Sequence, residues 1–160
     1  MHILARLILM LFAAALIGGG QVHAQSPAFG AGAGAPHISA RLEAENARPA
    51  PGETVTLAII MDPASGWHGY WENPGDAGKP LELDWALPKD ASVGALRYPV
   101  PQTLVFGGLM NHVYEARYAV LVDLHVPKGS KVGAPLPIRA KADWLACTDS
   151  ICVPEQAELA

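Results

Sequence analysis

The sequence has few cysteines, no excess of positive charge and no helical periodicity after its first two dozen residues. Each of these features argues against a class of fold, partner or site. Only Cys147 and Cys152 occur among 160 residues, so the chain is not a small scaffold held by many disulfides and must bury an ordinary apolar core. The formal net charge of -4 is scattered, which argues against nucleic acid as a partner. No Cys-x-x-Cys pair occurs, so a thioredoxin-type site is excluded.

The first 24 residues have the pattern of a secretory signal. Arg6 supplies positive charge, residues 7–17 are apolar, and Val22-His23-Ala24 is a small-x-small cleavage site. We therefore predict a signal peptide over residues 1–24, with an uncleaved anchor as the alternative. Residues 25–36 are rich in Ala, Gly and Pro and predict a flexible linker, followed by a single domain over residues 37–160. Export would place the cysteines where disulfides form and persist.

Alternation of apolar and polar residues dominates the predicted domain. About seven short strands, separated by Pro- and Gly-rich turns, indicate an all-β, immunoglobulin-like antiparallel β-sandwich. The clearest alternating strand is predicted from Tyr114 to Val126, and another from Leu136 to Trp144. Residues Thr54 to Met61 are β-branched and apolar on both faces, which predicts a central strand. The final residues, 155–160, start a further strand, which is consistent with a piece of a longer membrane protein.

One segment between predicted strands is unusually apolar. Residues 103–111 contain Leu104, Val105 and Phe106 next to Gly107-Gly108, and we predict a loop there. Apolar residues at the tip of a loop usually contact another part of the protein or a partner.

The two cysteines can bond only if the chain between them turns back. In an extended strand, residues five apart point to opposite faces, and the Thr-Asp-Ser sequence of residues 148–150 is suited to a turn. The ring would stabilise the fold by roughly 2 kcal/mol, and tight exposed rings are easily reduced. A redox pair, a structural disulfide and a metal site all remain open. Met110 and His112 are the alternative copper ligands, because sulfur and imidazole suit copper(I).

Three stretches together resemble a known family. They are Trp67-His68-Gly69-Tyr70-Trp71 with its continuation to residue 78, Tyr98-Pro99-Val100-Pro101, and Trp144-Leu145-Ala146-Cys147 with its continuation through Cys152-Val153-Pro154. They resemble the N-terminal periplasmic domain of the DsbD-like protein-disulfide reductases, in particular the ScsB-like branch associated with suppression of copper sensitivity. The resemblance spans nearly all of the chain after the predicted signal.

The resemblance implies a fold, a reaction and partners. In the family, an immunoglobulin-like domain receives electrons through a cysteine pair from a transmembrane domain that cytoplasmic thioredoxin supplies. The domain then reduces periplasmic thioredoxin-fold proteins, such as disulfide isomerases and cytochrome c maturation factors, and no cofactor is expected. Cys147 and Cys152 match the family's redox pair.

Further site residues follow from the same resemblance. Phe106 matches the phenylalanine of a cap loop that shields the cysteines, although the family's acidic residues before it are replaced here by Leu104 and Val105. This chain also has one residue fewer between the cysteines than the DsbD domain itself. Four residues are candidates to line the site, with core packing and turn formation as the alternative: Trp67, His68, Tyr70 and Trp71.

These observations predict a periplasmic thiol–disulfide exchange domain, part of a protein-disulfide reductase and tethered to the inner membrane in a longer protein. The competing hypothesis is an exported copper- or protein-binding sandwich whose disulfide is only structural. A purely structural domain of a larger membrane protein is a further alternative.

Overall fold

The computed structural model describes residues 34–160. The predicted signal peptide, residues 1–24, and residues 25–33 of the predicted linker lie outside the described residues. Residues 35–160 form a compact unit, with no helix in the described part and hence no helix there that could cross a membrane. The strands are β1 (Ile38–Ala44), β2 (Thr54–Pro63), β3 (Gly69–Gly75), β4 (Glu82–Ala86), β5 (Ser92–Val93), β6 (Gln102–Phe106), β7 (Leu109–Tyr114), β8 (Tyr118–His125), β9 (Arg139–Cys147) and β10 (Cys152–Leu159).

Two antiparallel sheets enclose the main core. One has the order β1-β2-β8-β5 and the other the order β10-β9-β4. Every second residue of the central strands points inward, as the period-two pattern requires. The first sheet contributes Val55, Leu57, Ile59, Met61, Val120, Val122 and Leu124, and the second contributes Ala142, Trp144 and Ala146. The prediction of an all-β antiparallel sandwich is confirmed.

A third sheet, with the order β3-β7-β6, adjoins the end of β9. It contains the segment predicted as a loop, residues 103–111, and that prediction is wrong. The segment is the β6–β7 hairpin, in which Leu104 pairs with Asn111 and Phe106 pairs with Leu109. Gly107 and Gly108 have φ angles of 57° and 84°, the left-handed backbone that a two-residue hairpin turn needs at both positions.

The strand predicted to run without a break from Tyr114 to Val126 is divided. β7 ends at Tyr114 and β8 begins at Tyr118, and the chain bends at Glu115 and Ala116. Because β7 belongs to the third sheet and β8 to the first, the chain passes at this bend from the third sheet into the main core. The two flanking tyrosine rings stack with centroids 4.1 Å apart.

β9 and β10 form the hairpin that carries both cysteines. The predicted turn between them is confirmed, since Cys147 pairs directly with Cys152 in the antiparallel register. Thr148 holds this turn: its Oγ1 accepts the N–H groups of Ser150 and Ile151, each at 3.2 Å, and its own N–H donates to the Ile151 carbonyl at 2.8 Å. β10 then continues to Leu159 as a full strand.

Glu155 fastens the start of β1 to this hairpin. Its Oε1 accepts the backbone N–H of His37 at 2.6 Å and lies 2.8 Å from Nδ1 of the same residue. Its Oε2 accepts the N–H of Ile38 at 3.0 Å and the indole N–H of Trp144 at 3.1 Å. The carboxylate therefore ties the first strand to β9 and β10 at the cysteine end of the sandwich.

Candidate redox site

The two cysteines are bonded, and their environments differ. Cys147 and Cys152 form a disulfide with Cα atoms 4.1 Å apart. Cys147 is 1% exposed and packs with Tyr70 and Val113 in a small apolar cluster. Cys152 is exposed. A reagent or a partner thiol can therefore approach the sulfur of Cys152, while Cys147 is covered by the third sheet.

His68 lies beside Cys147 on the side opposite to Cys152. The two residues form an antiparallel bridge and exchange both backbone hydrogen bonds, at 2.8 and 3.1 Å. Residues directly opposite in antiparallel strands have their side chains on the same face. His68, Cys147 and Cys152 thus form one row of cross-strand neighbours, with the disulfide at one side and the imidazole at the other.

A pocket of about 190 Å³ adjoins this row. Its walls are residues of the β6–β7 hairpin, the cysteine turn and the start of β3. They include Leu104, Phe106, Leu109, Asn111, His68, Tyr70, Thr148, Asp149 and Cys152. The pocket connects the buried imidazole and the disulfide with solvent.

Tyr70 lines the pocket and is itself held in place. It is 5% exposed, and its ring meets that of His68 edge-on, with centroids 5.4 Å apart. Gly78, at a φ of 101°, lies directly against the Tyr70 ring, which a Cβ at that position would overlap. Burial raises the pKa of Tyr70, so the phenol stays neutral at physiological pH.

Asn111 is a buried polar residue that the sequence analysis did not select. It is 8% exposed, and its Oδ1 accepts the N–H of Ala77 at 3.0 Å. The carboxylate of Asp76 accepts the N–H of Met110 at 2.8 Å. These two bonds attach the turn after β3 to β7, next to the pocket that Ala77 and Asn111 line. The only sequence signal for Asn111 was a polar residue within an apolar strand.

An apolar rim surrounds the exposed cysteine. We define the rim as Phe106, Leu109 and Ile151, which are 52%, 48% and 56% exposed and line the same pocket as Cys152. Phe106 and Leu109 lie at the tip of the β6–β7 hairpin, and Ile151 directly precedes Cys152. Phe106 lines the pocket together with Cys152, which puts it at the site entrance.

The two tryptophans among the candidate lining residues lie outside the pocket. Trp67 stacks on His37 with ring centroids 3.6 Å apart. Trp71 packs against the main core and meets the ring of His112 edge-on at 5.3 Å. Of the four candidates, the structure brings His68 and Tyr70 to the disulfide.

Met110 and His112, the alternative copper ligands, lie on β7. Met110 is 37% exposed, and Nδ1 of His112 donates to the carbonyl oxygen of Asn73 at 3.0 Å. Within residues 34–160, no cluster of three or more His, Cys, Asp or Glu side chains is arranged to hold a metal ion.

Burial controls the charge of His68. Desolvation lowers the pKa of His68 below its usual value of 6.5, while Glu115 and Asp149 act in the opposite direction. At neutral pH the imidazole is therefore uncharged, a form in which one ring nitrogen can accept a proton.

Known proteins match this chain in sequence family and in fold. The family model of the N-terminal domain of the thiol:disulfide interchange protein DsbD matches residues 39–160. Among solved structures, the N-terminal periplasmic domain of ScsB from Proteus mirabilis aligns with 18% identity and a TM-score of 0.52, covering 76% of this chain and 42% of that one. The chain thus spans about two fifths of the ScsB structure, and at this identity the likeness shows the fold.

A second solved structure aligns less well. A variant of BcpA, the major pilin subunit of Bacillus cereus, aligns with 10% identity and a TM-score of 0.41 over 77% of this chain and 38% of that one. No curated protein matches the sequence. Because the family model covers most of the chain and includes both cysteines, the chain belongs to the family of DsbD N-terminal domains, which are thiol:disulfide interchange domains.

Proposed function

We propose that this domain relays reducing equivalents in the periplasm by thiol–disulfide exchange at Cys147 and Cys152. A transmembrane domain, in the same polypeptide at full length, supplies the electrons, and periplasmic thioredoxin-fold proteins receive them. The observation that carries the proposal is the unequal exposure of the bonded pair: Cys152 is exposed, and Cys147 is 1% exposed. One sulfur is open to a partner, and the other is kept beside it.

The two cysteines have different roles in this reaction. In the reduced domain, the Cys152 thiolate attacks the disulfide of a partner and displaces one partner sulfur as a thiolate. Cys147 then attacks the Cys152 sulfur of the mixed disulfide, the Cys147–Cys152 bond forms, and the second partner sulfur leaves with its electron pair. Two electrons pass to the partner, and the domain ends oxidised, in the bonded form that the structure shows.

The apolar rim suits a transient docking surface. Exposed apolar side chains grouped around a reactive atom are typical of protein interaction sites. The rim residues are apolar, so their contribution to binding is burial of apolar surface, and exposed Asp149 lies in the same pocket wall. Phe106 at the pocket entrance shields the cysteine pair until a partner displaces the hairpin tip.

Reduction does not require the fold to open. The disulfide closes a ring within one hairpin, and its loss costs about 2 kcal/mol by the chain-entropy relation. Both strands of that hairpin remain paired along their length through backbone hydrogen bonds, and the buried Cys147 packs in the same cluster as a small apolar thiol. The domain can thus alternate between its two redox states.

Trapping of the mixed disulfide tests the proposal. The Cys147→Ser variant, mixed with a purified, oxidised thioredoxin-fold protein, is expected to form a covalent complex through Cys152 that persists on a non-reducing gel. The matched Cys152→Ser variant leaves only the buried thiol and is expected to form far less complex. Equal trapping by both variants, or by neither, would contradict the assigned roles and favour a structural disulfide.

A further inference from the structure

His68 carries a titratable side chain, and backbone pairing fixes the position of this residue relative to buried Cys147. Directly opposed residues of an antiparallel pair have Cβ atoms about 4.5–5.5 Å apart. His68 is so opposed to Cys147, with both backbone bonds formed. At that separation, a proton can pass between the ring and Cys147 Sγ through one water.

The imidazole is buried but free to exchange a proton. His68 is 5% exposed, and its side chain has no hydrogen-bond partner within residues 34–160. No side-chain nitrogen or oxygen in this range is both sealed from solvent and unpartnered, so the ring nitrogens keep access to the pocket.

The other histidines of the described domain have different settings. His37 is paired with Glu155, His112 donates to a backbone carbonyl, and His125 is exposed beside Thr54. His68 is the one buried histidine in residues 34–160. Within residues 34–160, His68 is therefore the histidine that is both buried and adjacent to the cysteine pair.

The ionisable groups around His68 come from each element packed against it. The cysteine turn contributes exposed Asp149, the bend after β7 contributes exposed Glu115, and β3 contributes the neutral phenol of Tyr70. The two cysteines complete the set. Both carboxylates are solvent-exposed, so burial prevails and keeps the ring neutral, while the carboxylates still favour the imidazolium once a proton arrives.

We propose that His68 accepts the proton of the Cys147 thiol when Cys147 resolves the mixed disulfide, and returns a proton to Cys147 when the domain is reduced again. The inference rests on the proposed exchange reaction and names His68 as the residue that accepts and returns the proton in that reaction. A buried thiol needs such a group because burial in apolar surroundings raises the pKa of a thiol, and the thiolate is the nucleophile.

The step is balanced as follows. The Cys147 S–H proton moves to His68, and the Cys147 sulfur attacks the Cys152 sulfur. The new Cys147–Cys152 bond forms as the bond from Cys152 to the partner breaks, and the partner thiolate departs with the electron pair. The imidazolium then releases its proton through the pocket to water. In the reductive direction, the imidazole takes a proton from water through the pocket and passes it to the Cys147 thiolate as that sulfur leaves.

Stopped-flow reaction of the reduced domain with 5,5′-dithiobis(2-nitrobenzoate) tests this step. The reagent first forms an adduct at exposed Cys152 in a phase proportional to its concentration. A second phase, independent of that concentration, reports attack by Cys147. His68→Gln is expected to slow the second phase at pH 7 by about 10²-fold, the lower range for general-base catalysis, and to leave the first phase unchanged. The matched control is His125→Gln, at an exposed histidine of β8.

The pH profile separates proton transfer from a structural effect. With His68, the second-phase rate is expected to be nearly flat above about pH 6.5, because the base is already neutral there. In His68→Gln, the rate is expected to rise about tenfold per pH unit until the thiol itself titrates. If His68→Gln does not fold, the wild-type profile still decides, since a tenfold rise per unit in the wild type would overturn the proposal.

Failure of this inference differs from failure of the proposed function. If the wild type shows both phases and His68→Gln shows the same rates and profile, His68 does not handle the proton, and the exchange reaction stands. If the wild-type disulfide cannot be reduced without unfolding, or gives no second phase, the exchange reaction fails, and this inference fails with it.

Discussion

Replacement of Glu155 by glutamine tests whether one carboxylate holds the cysteine hairpin to the first strand. The side chain of Glu155 is 9% exposed, and each of its oxygens serves two groups. Oε1 serves the backbone N–H and Nδ1 of His37, and Oε2 serves the N–H groups of Ile38 and Trp144. Glutamine has nearly the same shape but presents an NH₂ in place of one oxygen.

The expected loss follows from the donors that glutamine leaves unpaired. With the NH₂ at the Oε2 position, the N–H groups of Ile38 and Trp144 both lose their acceptor. With the NH₂ at the Oε1 position, the N–H of His37 loses its acceptor, whereas Nδ1 can accept from the amide in its other tautomer. Hydrogen bonds to charged groups contribute about 1.5–3 kcal/mol each, and water reaches part of the site through His37, whose side chain is 36% exposed. We therefore expect Glu155→Gln to lower the free energy of unfolding by about 3 kcal/mol, or Tm by roughly 10 °C for a domain of this size.

Urea unfolding followed by tryptophan fluorescence measures this loss, because Trp144 is one of the affected groups. The matched control is Glu158→Gln on the same strand, where the side chain is exposed and the change is expected to stay within about 0.5 kcal/mol. A difference between the two variants of less than about 1 kcal/mol would refute the reasoning, since it would mean that the four contacts add nothing beyond solvation.

Three further predictions concern the pocket and its entrance. Gly78→Ala is expected to destabilise the domain by about 2–4 kcal/mol, because the positive φ is unfavourable for alanine and its Cβ overlaps a buried tyrosine ring. Thermal unfolding measures the effect, with Gly129→Ala, whose Cβ meets open space, as the control. Equal Tm values for the two variants would contradict the expectation. Phe106→Ala is expected to speed reduction of the disulfide by dithiothreitol severalfold with little change in Tm. Val132→Ala, at another exposed apolar residue, should leave the reduction rate unchanged. A reduction rate unaffected by Phe106→Ala would argue against shielding of the cysteines by Phe106. The pKa of His68 is lower in the folded than in the unfolded chain, so the unfolded state binds more protons near pH 6. The urea midpoint should therefore fall as pH decreases below about 6.5 and level off above it. The slope of the midpoint against pH should be smaller in His68→Gln, and an unchanged slope would contradict a neutral buried ring.

Strands in the main core were predictable from the sequence because burial on one face imposes a strict period of two. The inward-facing residues of β8 and β9 follow that pattern, whereas β2 was predictable from β-branched residues that are apolar on both faces. The turn between the cysteines was predictable for a similar reason, since two residues five apart can meet only if the chain reverses between them.

The β6–β7 hairpin was missed because its pattern is not that of a half-buried strand. Val105, Phe106 and Leu109 are apolar and yet exposed, so alternation does not reveal the pairing. The informative signal was Gly107-Gly108, a pair that supports a two-residue turn. A hairpin whose apolar residues face solvent is expected where a surface serves a partner rather than the core.

Residues that act through distant contacts were beyond sequence reasoning. Glu155 occupies an ordinary position in an alternating strand, and its partners, Ile38 in β1 and His37 just before it, lie 117 and 118 residues away. The pairing of His68 with Cys147 likewise depends on the register of a single bridge between distant segments. Sequence resemblance indicated that His68 and Tyr70 could belong to the site, whereas their placement required the assembled sheets.

The reduction potential of the Cys147–Cys152 disulfide tests the proposed exchange most directly. The oxidised domain would be equilibrated across a dithiothreitol series and its free thiols alkylated and counted by mass spectrometry. A reducible pair is predicted, with a potential well above about -300 mV and an unchanged fold after reduction. A potential well below that value would identify a structural disulfide and would contradict the relay of reducing equivalents through this domain.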